Sequence, residues 1–346
     1  MAHAQLTEAQ SERRERNVGH QLFAVIAGSA AVTGSRAVPS AEVDRAFGMP
    51  VGKLRDRAGI ESLAYAAEGE NEVTLGARAV QKTLHSAGCA AQELDWIIAT
   101  SETYHTYPSL AAHLHSSLSV RETCGALDVG GACLGLLNAL AVAQSLIVSG
   151  QARSVGVVTA DVHSRTLVPG RVAGEFGGLF GDGSSAFLLR SAVAKEQSNP
   201  YRLHEFLFGC ATRYSGAITI ADALDGTLDL HFDGDALSRA AISLMEKVIA
   251  AIEELSGIPR GAVGAFATHQ PNPRLLSILA KIASVPREAF PSIARTSGNL
   301  GSSTCGAALH TALQISAARP AADRKPIFLA SLGPGLLFGG TWLSSQ

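Results

Sequence analysis

Strand-like runs alternate with helical segments along this chain, and that alternation limits the fold more than any other feature of the sequence. The runs at 22–32, 94–100 and 154–161 are rich in apolar residues and short enough to be strands. Between them, the segments 73–87 and 134–149 carry apolar residues at helical spacing. Strands that alternate with helices in this way predict an α/β fold with mostly parallel sheets.

A second series of strands and helices follows a polar break at 194–202. Both series end in a glycine-rich turn that leads into a strand, with "GDGSSAFLL" in the first and "GPGLLFGGTWL" in the second. This parallel indicates a duplicated αβ unit. The sequence therefore predicts a flexible N-terminal tail over 1–20, an N-terminal half over 21–193 and a C-terminal half over 194–346.

Composition excludes several classes of protein. The chain has 346 residues, 47% of them hydrophobic and 17% charged, with a net charge of -2. That is enough apolar sequence for a large core, and too little positive charge for nucleic acid to be the main partner. The five cysteines are scattered without CxxC spacing, which predicts neither a zinc site nor a disulfide framework. With neither a signal peptide nor a membrane-length apolar run, we expect a cytoplasmic protein.

Cys133 is the first candidate for chemistry. It stands in "DVGGACLGLL", between a strand-like segment and the start of a helix, with small residues on both sides. The N-terminal end of a helix lowers the pKa of a thiol, and the small neighbours leave room for a substrate. A buried structural cysteine is the alternative interpretation.

His269 and Asn299 are two further candidates at the ends of predicted elements. His269 ends an apolar strand in "AFATHQPNP", where open α/β folds place their sites, although a polar cap explains it equally well. Asn299 lies in "RTSGNLGSSTCG", a turn before a helix, for which an N-cap is the simpler role. Together with Cys133, the two side chains can supply a thiolate nucleophile and two hydrogen-bond donors.

Four motifs in order along the chain resemble the β-ketoacyl-acyl carrier protein synthase III family of the thiolase superfamily. They are "DVGGACLGLLNALAVAQSLIVSG", "FGDGSSAFLL", "HQPNPRLL" and "SGNLGSSTCGAALHTAL". The resemblance implies a thiolase-like fold: two similar βαβαβ-type halves that form a layered α/β/α/β/α core, assembled as a homodimer. It also implies a 3-oxoacyl-[acyl carrier protein] synthase III type of acyltransferase.

Carried over by motif, the resemblance gives each candidate residue a role. Cys133 would take the acyl group, and His269 and Asn299 would hold the thioester carbonyl of malonyl-acyl carrier protein while it loses CO2. Gly333 and Gly335 would form the loop that contributes to the oxyanion hole. The product would be a β-ketoacyl thioester for fatty acid initiation or secondary metabolism, formed without a cofactor.

The resemblance also suggests surfaces for substrates and partners. Tyr107 would line the acyl pocket of the dimer mate. A set of mostly basic residues would bind the substrate or the acidic acyl carrier protein, namely Arg57, Arg239, Asn272, Arg274 and Lys281. Lys53 replaces a stacking Trp, and Asp235 replaces an Asn expected on pantetheine, which favours a carrier-protein donor over acyl-CoA. Glu102 has no assigned role, and we expect it on the surface.

Three alternatives stay open at this point. A related acyltransferase would move the acyl group from Cys133 to an alcohol or amine of a natural product. A catalytically silent partner subunit would only complete the pocket of another synthase, although such subunits usually lack part of the triad present here. A papain-like protease also has Cys, His and Asn in this order, but two series of alternating strands and helices do not fit it.

Overall fold

The structure is a computed structural model that describes residues 22–172, 174–193, 201–222 and 228–345. The tail predicted over 1–20 lies outside the described residues, as does most of the polar break between the two series. The strands are β1 (Leu22–Thr33), β2 (Arg36–Pro39), β3 (Ser62–Tyr65), β4 (Trp96–Thr100), β5 (Gly125–Asp128), β6 (Ser154–Val162), β7 (Asp182–Val193), β8 (Tyr201–Leu203), β9 (Leu207–Cys210), β10 (Ile218–Asp222), β11 (Leu228–Phe232), β12 (Ala265–Thr268), β13 (Ile327–Gly333) and β14 (Leu337–Ser345). The helices are α1 (Ser40–Ala46), α2 (Glu72–Ser86), α3 (Leu110–Ser117), α4 (Gly135–Val148), α5 (Gly174–Gly178), α6 (Gly234–Ser256), α7 (Pro273–Ile282), α8 (Ala294–Ser297) and α9 (Ser302–Ala317).

One mixed sheet crosses the described part of both halves in the order β12-β13-β14-β8-β1-β7-β6-β4-β5, with β9 paired to β14. Parallel pairing joins β4 to β5 and to β6, and β12 to β13. The other neighbours in this sheet are antiparallel, so the prediction of mostly parallel sheets is wrong. The reason is visible at β7, which starts opposite the end of β6, with Val162 paired to Asp182. The chain therefore turns back at one edge instead of crossing the sheet.

Apolar clusters arrange the helices in layers. Helices α4 and α9 share one buried cluster with strands of both halves, which includes Leu140, Leu309, Ile98 and Leu329. A second cluster places α2 and α3 on the outer face of β4, β6 and β7, and a third places α6 and α7 on the outer face of β12 and β13. Because strands of both series pack on α4 and α9, the single sheet provides a β layer on each side of the central helices, and the order of layers is α/β/α/β/α, as the resemblance implies.

The composition of the two central helices suits this position. Helix α4 reads GLLNALAVAQSLIV and is apolar on nearly every side, which is typical of a helix covered on both faces. Helix α9 instead uses small residues that allow close approach. A Cβ on Gly306 would lie 1.9 Å from Oγ of Ser185 on β7. The two helices bring the N-terminal and C-terminal series together, and Cys133 and Asn299 lie just before their N-terminal ends.

Candidate active site

The candidate site contains residues that follow the carboxyl ends of three strands. β4 ends at Thr100, β6 at Val162 and β12 at Thr268. Glu102, His163 and His269 come within two residues of these ends. Carboxyl ends of neighbouring parallel strands share one edge, where open α/β sheets bind ligands.

Cys133 lies in the turn that joins β5 to α4. Gly131 and Ala132 have φ of 133° and 48°, and a 3-10 turn over Ala132–Leu134 leads into α4. Positive φ at an alanine is strained, and such strain is held only where the surroundings fix it. Ser331 of β13 does so in part, since its Oγ donates a hydrogen bond of 2.7 Å to the carbonyl of Cys133. The helix therefore begins just after the cysteine, as predicted.

The glycine loop packs against this turn. A Cβ on Gly333 would lie 3.0 Å from the carbonyl oxygen of Gly131 and 3.3 Å from the amide of Leu134. Gly335 has φ of 76°, a conformation that glycine adopts without strain. Gly333 is thus next to the Cys133 turn, while the contribution of the loop to an oxyanion hole stays a prediction.

Asn299 is fixed with its amide group in one orientation. Its Oδ1 accepts hydrogen bonds of 3.0 Å from the amide of Gly301 and from Oγ1 of Thr304. Both partners are used as donors, so the oxygen is on their side and the two Nδ2 hydrogens point away from them. Asn299 is 3% exposed. Asn299 is therefore buried with its amide held in one orientation, and its role toward a substrate stays a prediction.

His269 is a neutral imidazole. Burial lowers its pKa to about 4, and the negative charge of Glu102 opposes that shift only in part. Nδ1 has no hydrogen-bond partner among the described residues. The next residue, Gln270, accepts from the amide of Ile293 at 2.9 Å and donates to the carbonyl of Pro291 at 2.6 Å. These bonds tie the end of β12 to the segment that leads to Asn299.

The structure corrects the expected pKa of Cys133. Burial raises it well above the usual value, and the negative charge of Glu102 and a hydrogen bond with that side chain raise it further. The thiol is 9% exposed. The helix terminus does not offset burial beside a carboxylate, so the raised pKa favours the protonated thiol of Cys133 over the thiolate.

Glu102 is the residue that the sequence prediction placed wrongly. Its side chain is only 14% exposed, and its Oε2 lies 3.5 Å from Nε2 of His163, whose side chain is 5% exposed. The amide of Glu102 donates a 2.5 Å hydrogen bond to Oδ1 of Asp161. Its position two residues after β4 therefore directs it into the site and away from the surface.

His163 and Asp161 connect this carboxylate to the Asn299 turn. Oγ of Ser302 donates to Oδ2 of Asp161 at 2.6 Å. A Cβ on Gly301 would lie 2.4 Å from Cε1 of His163, so only glycine lets the turn approach the imidazole. Sequence reasoning missed this group. The signal that could have found it is the shared edge of the parallel strands β4 and β6, because polar residues that follow two such strands meet there.

The predicted binding residues lie outside this cluster. Arg57, Arg239, Arg274 and Lys281 are exposed, and Arg274 donates to the carbonyl of Asp56. Oδ1 of Asn272 accepts from the amide of Leu275 at 3.1 Å and caps α7. That bond is a structural role, and the carrier-protein role of the group stays a prediction.

Tyr107, Lys53 and Asp235 are the other positions for which the sequence predicts a role in substrate binding. Tyr107 is 97% exposed on this single chain. Nζ of Lys53 lies 3.2 Å from Oε2 of Glu175 in an ion pair. The side chain of Asp235 lies outside the described residues.

The described residues contain neither a membrane-spanning helix nor a cluster of metal ligands. Among the helices there, none combines the length and apolarity that crossing a bilayer requires. Within the same ranges, no group of three or more His, Cys, Asp or Glu side chains is arranged to hold a metal ion.

Comparison with known proteins agrees with the geometry. A family model for 3-oxoacyl-[acyl-carrier-protein (ACP)] synthase III matches residues 127–205, and the model for the C-terminal part of that family matches residues 254–344. A β-ketoacyl-[acyl-carrier-protein] synthase III of Cereibacter sphaeroides is 29% identical over 338 residues, which cover 93% of this chain and 99% of the relative.

Solved structures give the same result for the fold. The 3-oxoacyl-(acyl carrier protein) synthase III of Pseudomonas aeruginosa PAO1 superimposes with a TM-score of 0.81 at 23% identity, covering 93% of this chain and 98% of the other. The priming β-ketosynthase of the R1128 polyketide pathway also has a TM-score of 0.81, at 25% identity, covering 94% and 97%. The thiolase-like layers, the order of the motifs and the two family models lead to one assignment: this chain belongs to the 3-oxoacyl-[acyl-carrier-protein] synthase III family.

Proposed function

We propose that this condensing enzyme acylates Cys133 from an acyl thioester and extends the acyl group with malonyl-acyl carrier protein. The observation that supports the proposal is a set of three buried groups: the thiol of Cys133, a neutral His269 and an oriented Asn299, with Glu102 acting on both the thiol and the imidazole. The product is a β-ketoacyl thioester.

Acylation is the first half-reaction. The sulfur of Cys133 forms a bond to the carbonyl carbon of the donor, the carbonyl oxygen becomes an oxyanion, and the thiol of the donor leaves as the carbonyl re-forms. Backbone N–H groups of the Cys133 turn, beside the Gly333–Gly335 loop, are the proposed donors to this oxyanion.

Condensation is the second half-reaction. The bond between the α-carbon and the carboxylate of the malonyl group breaks, CO2 leaves, and the electron pair forms an enolate. The ring N–H of His269 and the Nδ2 hydrogens of Asn299 stabilise its oxygen. A neutral imidazole suits this role, because it is in the donating state at every pH above about 4. The enolate carbon then attacks acyl-Cys133, and the Cys133 sulfur leaves.

Exposed basic residues support acyl carrier protein as the partner. Arg239, Arg274 and Lys281 carry positive charge on two neighbouring helices, and an acidic helix is attracted to such a surface. The ion pair of Lys53 with Glu175 favours the carrier-bound donor, since a paired ammonium group is poorly placed to stack on an adenine. We further propose a cytoplasmic homodimer in which Tyr107 lines the partner's pocket, working without a cofactor.

Intact-protein mass spectrometry tests the proposal. Wild type and Cys133→Ala are incubated with a panel of acyl-CoAs and acyl-acyl carrier proteins, and then with malonyl-acyl carrier protein. We expect a substrate-sized mass gain in wild type only, which malonyl-acyl carrier protein discharges with release of a β-ketoacyl thioester.

Cys210→Ala is the matched control, because Cys210 is the exposed cysteine and the other four are buried, so nonspecific acylation is expected there first. This variant is expected to acylate as wild type does. If malonyl-acyl carrier protein fails to discharge acyl-Cys133, the result favours transfer of the acyl group to an alcohol or amine over condensation. The absence of acylation from every donor would overturn the role of Cys133 and favour a silent subunit.

A further inference from the structure

The described part of the site contains a carboxylate and an imidazole beside Cys133 that the two half-reactions above do not use. Glu102 follows β4, and His163 follows β6. Both are enclosed, and Oε1 of Glu102 has no hydrogen-bond partner among the described residues. A buried carboxylate oxygen without a partner requires an explanation, because desolvation of such a group is unfavourable.

His163 has hydrogen-bond acceptors at both ring nitrogens. Nδ1 lies 3.3 Å from the carbonyl oxygen of Gly181, and Nε2 lies 3.5 Å from Oε2 of Glu102. A neutral imidazole donates only one hydrogen bond, so both contacts are satisfied only by the imidazolium. The ring also packs on Phe180, with centroids 4.6 Å apart. His163 is therefore a fixed positive charge.

That charge keeps Glu102 ionised. Burial raises the pKa of Glu102, but the hydrogen bond and charge of His163, with smaller contributions from Cys133 and His269, outweigh burial and lower it. The charged groups facing His163 are Glu102, Asp161 and Asp182, and they raise the pKa of His163 to about 9 against the effect of burial. The two side chains form a buried ion pair that touches the thiol.

We propose that Glu102 is the proton acceptor for the Cys133 thiol in acylation and that His163 is its positioning residue. The inference rests on the proposed function, since it assigns the proton of the same nucleophile. A thiol that is protonated at rest needs a base when it attacks, and Glu102 is the carboxylate that hydrogen-bonds to this thiol and acts on it most strongly.

The proton returns within the same half-reaction. As the Cys133 sulfur bonds to the acyl carbon, its proton moves to Glu102. As the bond from that carbon to the donor sulfur breaks, Glu102 gives the proton to the departing thiolate. Cys133 ends as a thioester, the donor as a thiol and Glu102 as a carboxylate, so protons and charges balance.

The test measures single-turnover acylation of Cys133 by intact mass between pH 5.5 and 9, for wild type, Glu102→Gln and the control Glu254→Gln, an exposed glutamate on α6. Wild type is expected to keep a nearly constant rate across this range, because the pKa of Glu102 lies below its usual value and the carboxylate stays ionised. Glu102→Gln is expected to acylate about 10²-fold more slowly at pH 7 and to recover with rising pH as the thiolate forms. Glu254→Gln is expected to match wild type.

Alkylation of Cys133 by iodoacetamide separates loss of the base from loss of the fold. Removing the negative charge beside the thiol lowers the thiol pKa, so Glu102→Gln is expected to alkylate at least as fast as wild type at pH 8. In His163→Gln the charge that favours ionised Glu102 is absent, so the pKa of Glu102 is expected to rise. The rate of acylation is then expected to fall at acid pH within the measured range.

Two results overturn the inference. One is Glu102→Gln that acylates within about threefold of wild type at pH 7, against the 10²-fold typical of a lost base. The other is a Glu102→Gln variant in which acylation and alkylation are both faster than in wild type at pH 7, which would make Glu102 an electrostatic neighbour only. If wild type itself accepts no acyl group, the proposed function fails first and the inference falls with it.

Discussion

At the scale of single residues, different groups of the site carry out proton transfer and hydrogen-bond donation. Cys133 and Glu102 share a proton, while Asn299 is held so that it only donates. The hydrogen bonds that Gly301 and Thr304 donate to Oδ1 fix the orientation of the Asn299 amide. Glu102 and Asn299 can therefore each be removed with an effect on one half-reaction.

Asn299→Ala is expected to uncouple the two half-reactions. Loss of one enolate donor lowers malonyl decarboxylation by about 10²- to 10³-fold, the usual effect of removing an oxyanion donor. Acylation of Cys133 is expected to remain within a few fold of wild type. The measurements are CO2 release and the mass of the acyl-enzyme on the same sample. Equal loss of both would mean that Asn299 supports the fold of the turn and not the enolate.

Residues differ in how well the sequence predicts them, and the reason is physical. Cys133, His269 and Asn299 each stand at the boundary of an element, where a local pattern marks them. Glu102 gains its role from His163, which lies 61 positions later in the chain. Its burial depends on which strands are neighbours, and the local sequence does not contain that information.

At the scale of elements, the sequence predicts the main helices and strands well and their pairing poorly. Helix α4 and strand β6 have the apolar content of buried elements. The antiparallel return at β7 was not expected, because strand–helix alternation carries no information about a connection that stays at one edge. The exposed hairpin of β10 and β11 was also missed, since it belongs to neither series.

Because α9 and β7 are in close contact at Gly306, we expect this position to tolerate no side chain. Gly306→Ala would place a Cβ 1.9 Å from Oγ of Ser185, a short side chain within a strand that cannot move aside. We expect destabilisation by about 1 to 3 kcal/mol, as for other overpacked cores. Urea unfolding of the purified variant measures it.

Gly76→Ala on α2 is the matched control. There the nearest atom to the new Cβ is the end of the Leu114 side chain, at 3.1 Å. Such an end moves easily, and alanine favours a helix over glycine by up to about 1 kcal/mol. The free energy of unfolding is expected to change little or to rise. Similar losses in the two variants would show that close packing at α9 is not the cause.

At the scale of the whole molecule, the two halves share one core. Proposed boundaries at 21–193 and 194–346 divide the chain, but the sheet continues from β1 to β8, and α4 and α9 lie in the same apolar cluster. The candidate site follows this arrangement, since Cys133 and Glu102 come from one half and His269 and Asn299 from the other.

The buried imidazolium predicts how stability varies with pH. Unfolded histidine titrates near 6.5, and His163 in the fold holds its proton to about 9. Its contribution is therefore complete below pH 6.5 and is lost as pH rises toward 9, and it amounts to at most about 3 kcal/mol. We expect urea unfolding of wild type to show a falling free energy between pH 6.5 and 8.5. His163→Gln should lack this decline, and an identical decline in the variant would contradict the assignment.

The shared central layer also governs how such proteins can exchange parts. A gene fusion that takes the first half from one relative and the second from another would bring together α4 and α9 surfaces that were selected with different neighbours. It would also pair a nucleophile with enolate donors from a different ancestor. Productive recombination is therefore expected for surface segments such as the β10–β11 hairpin, whereas the two halves are inherited as one unit.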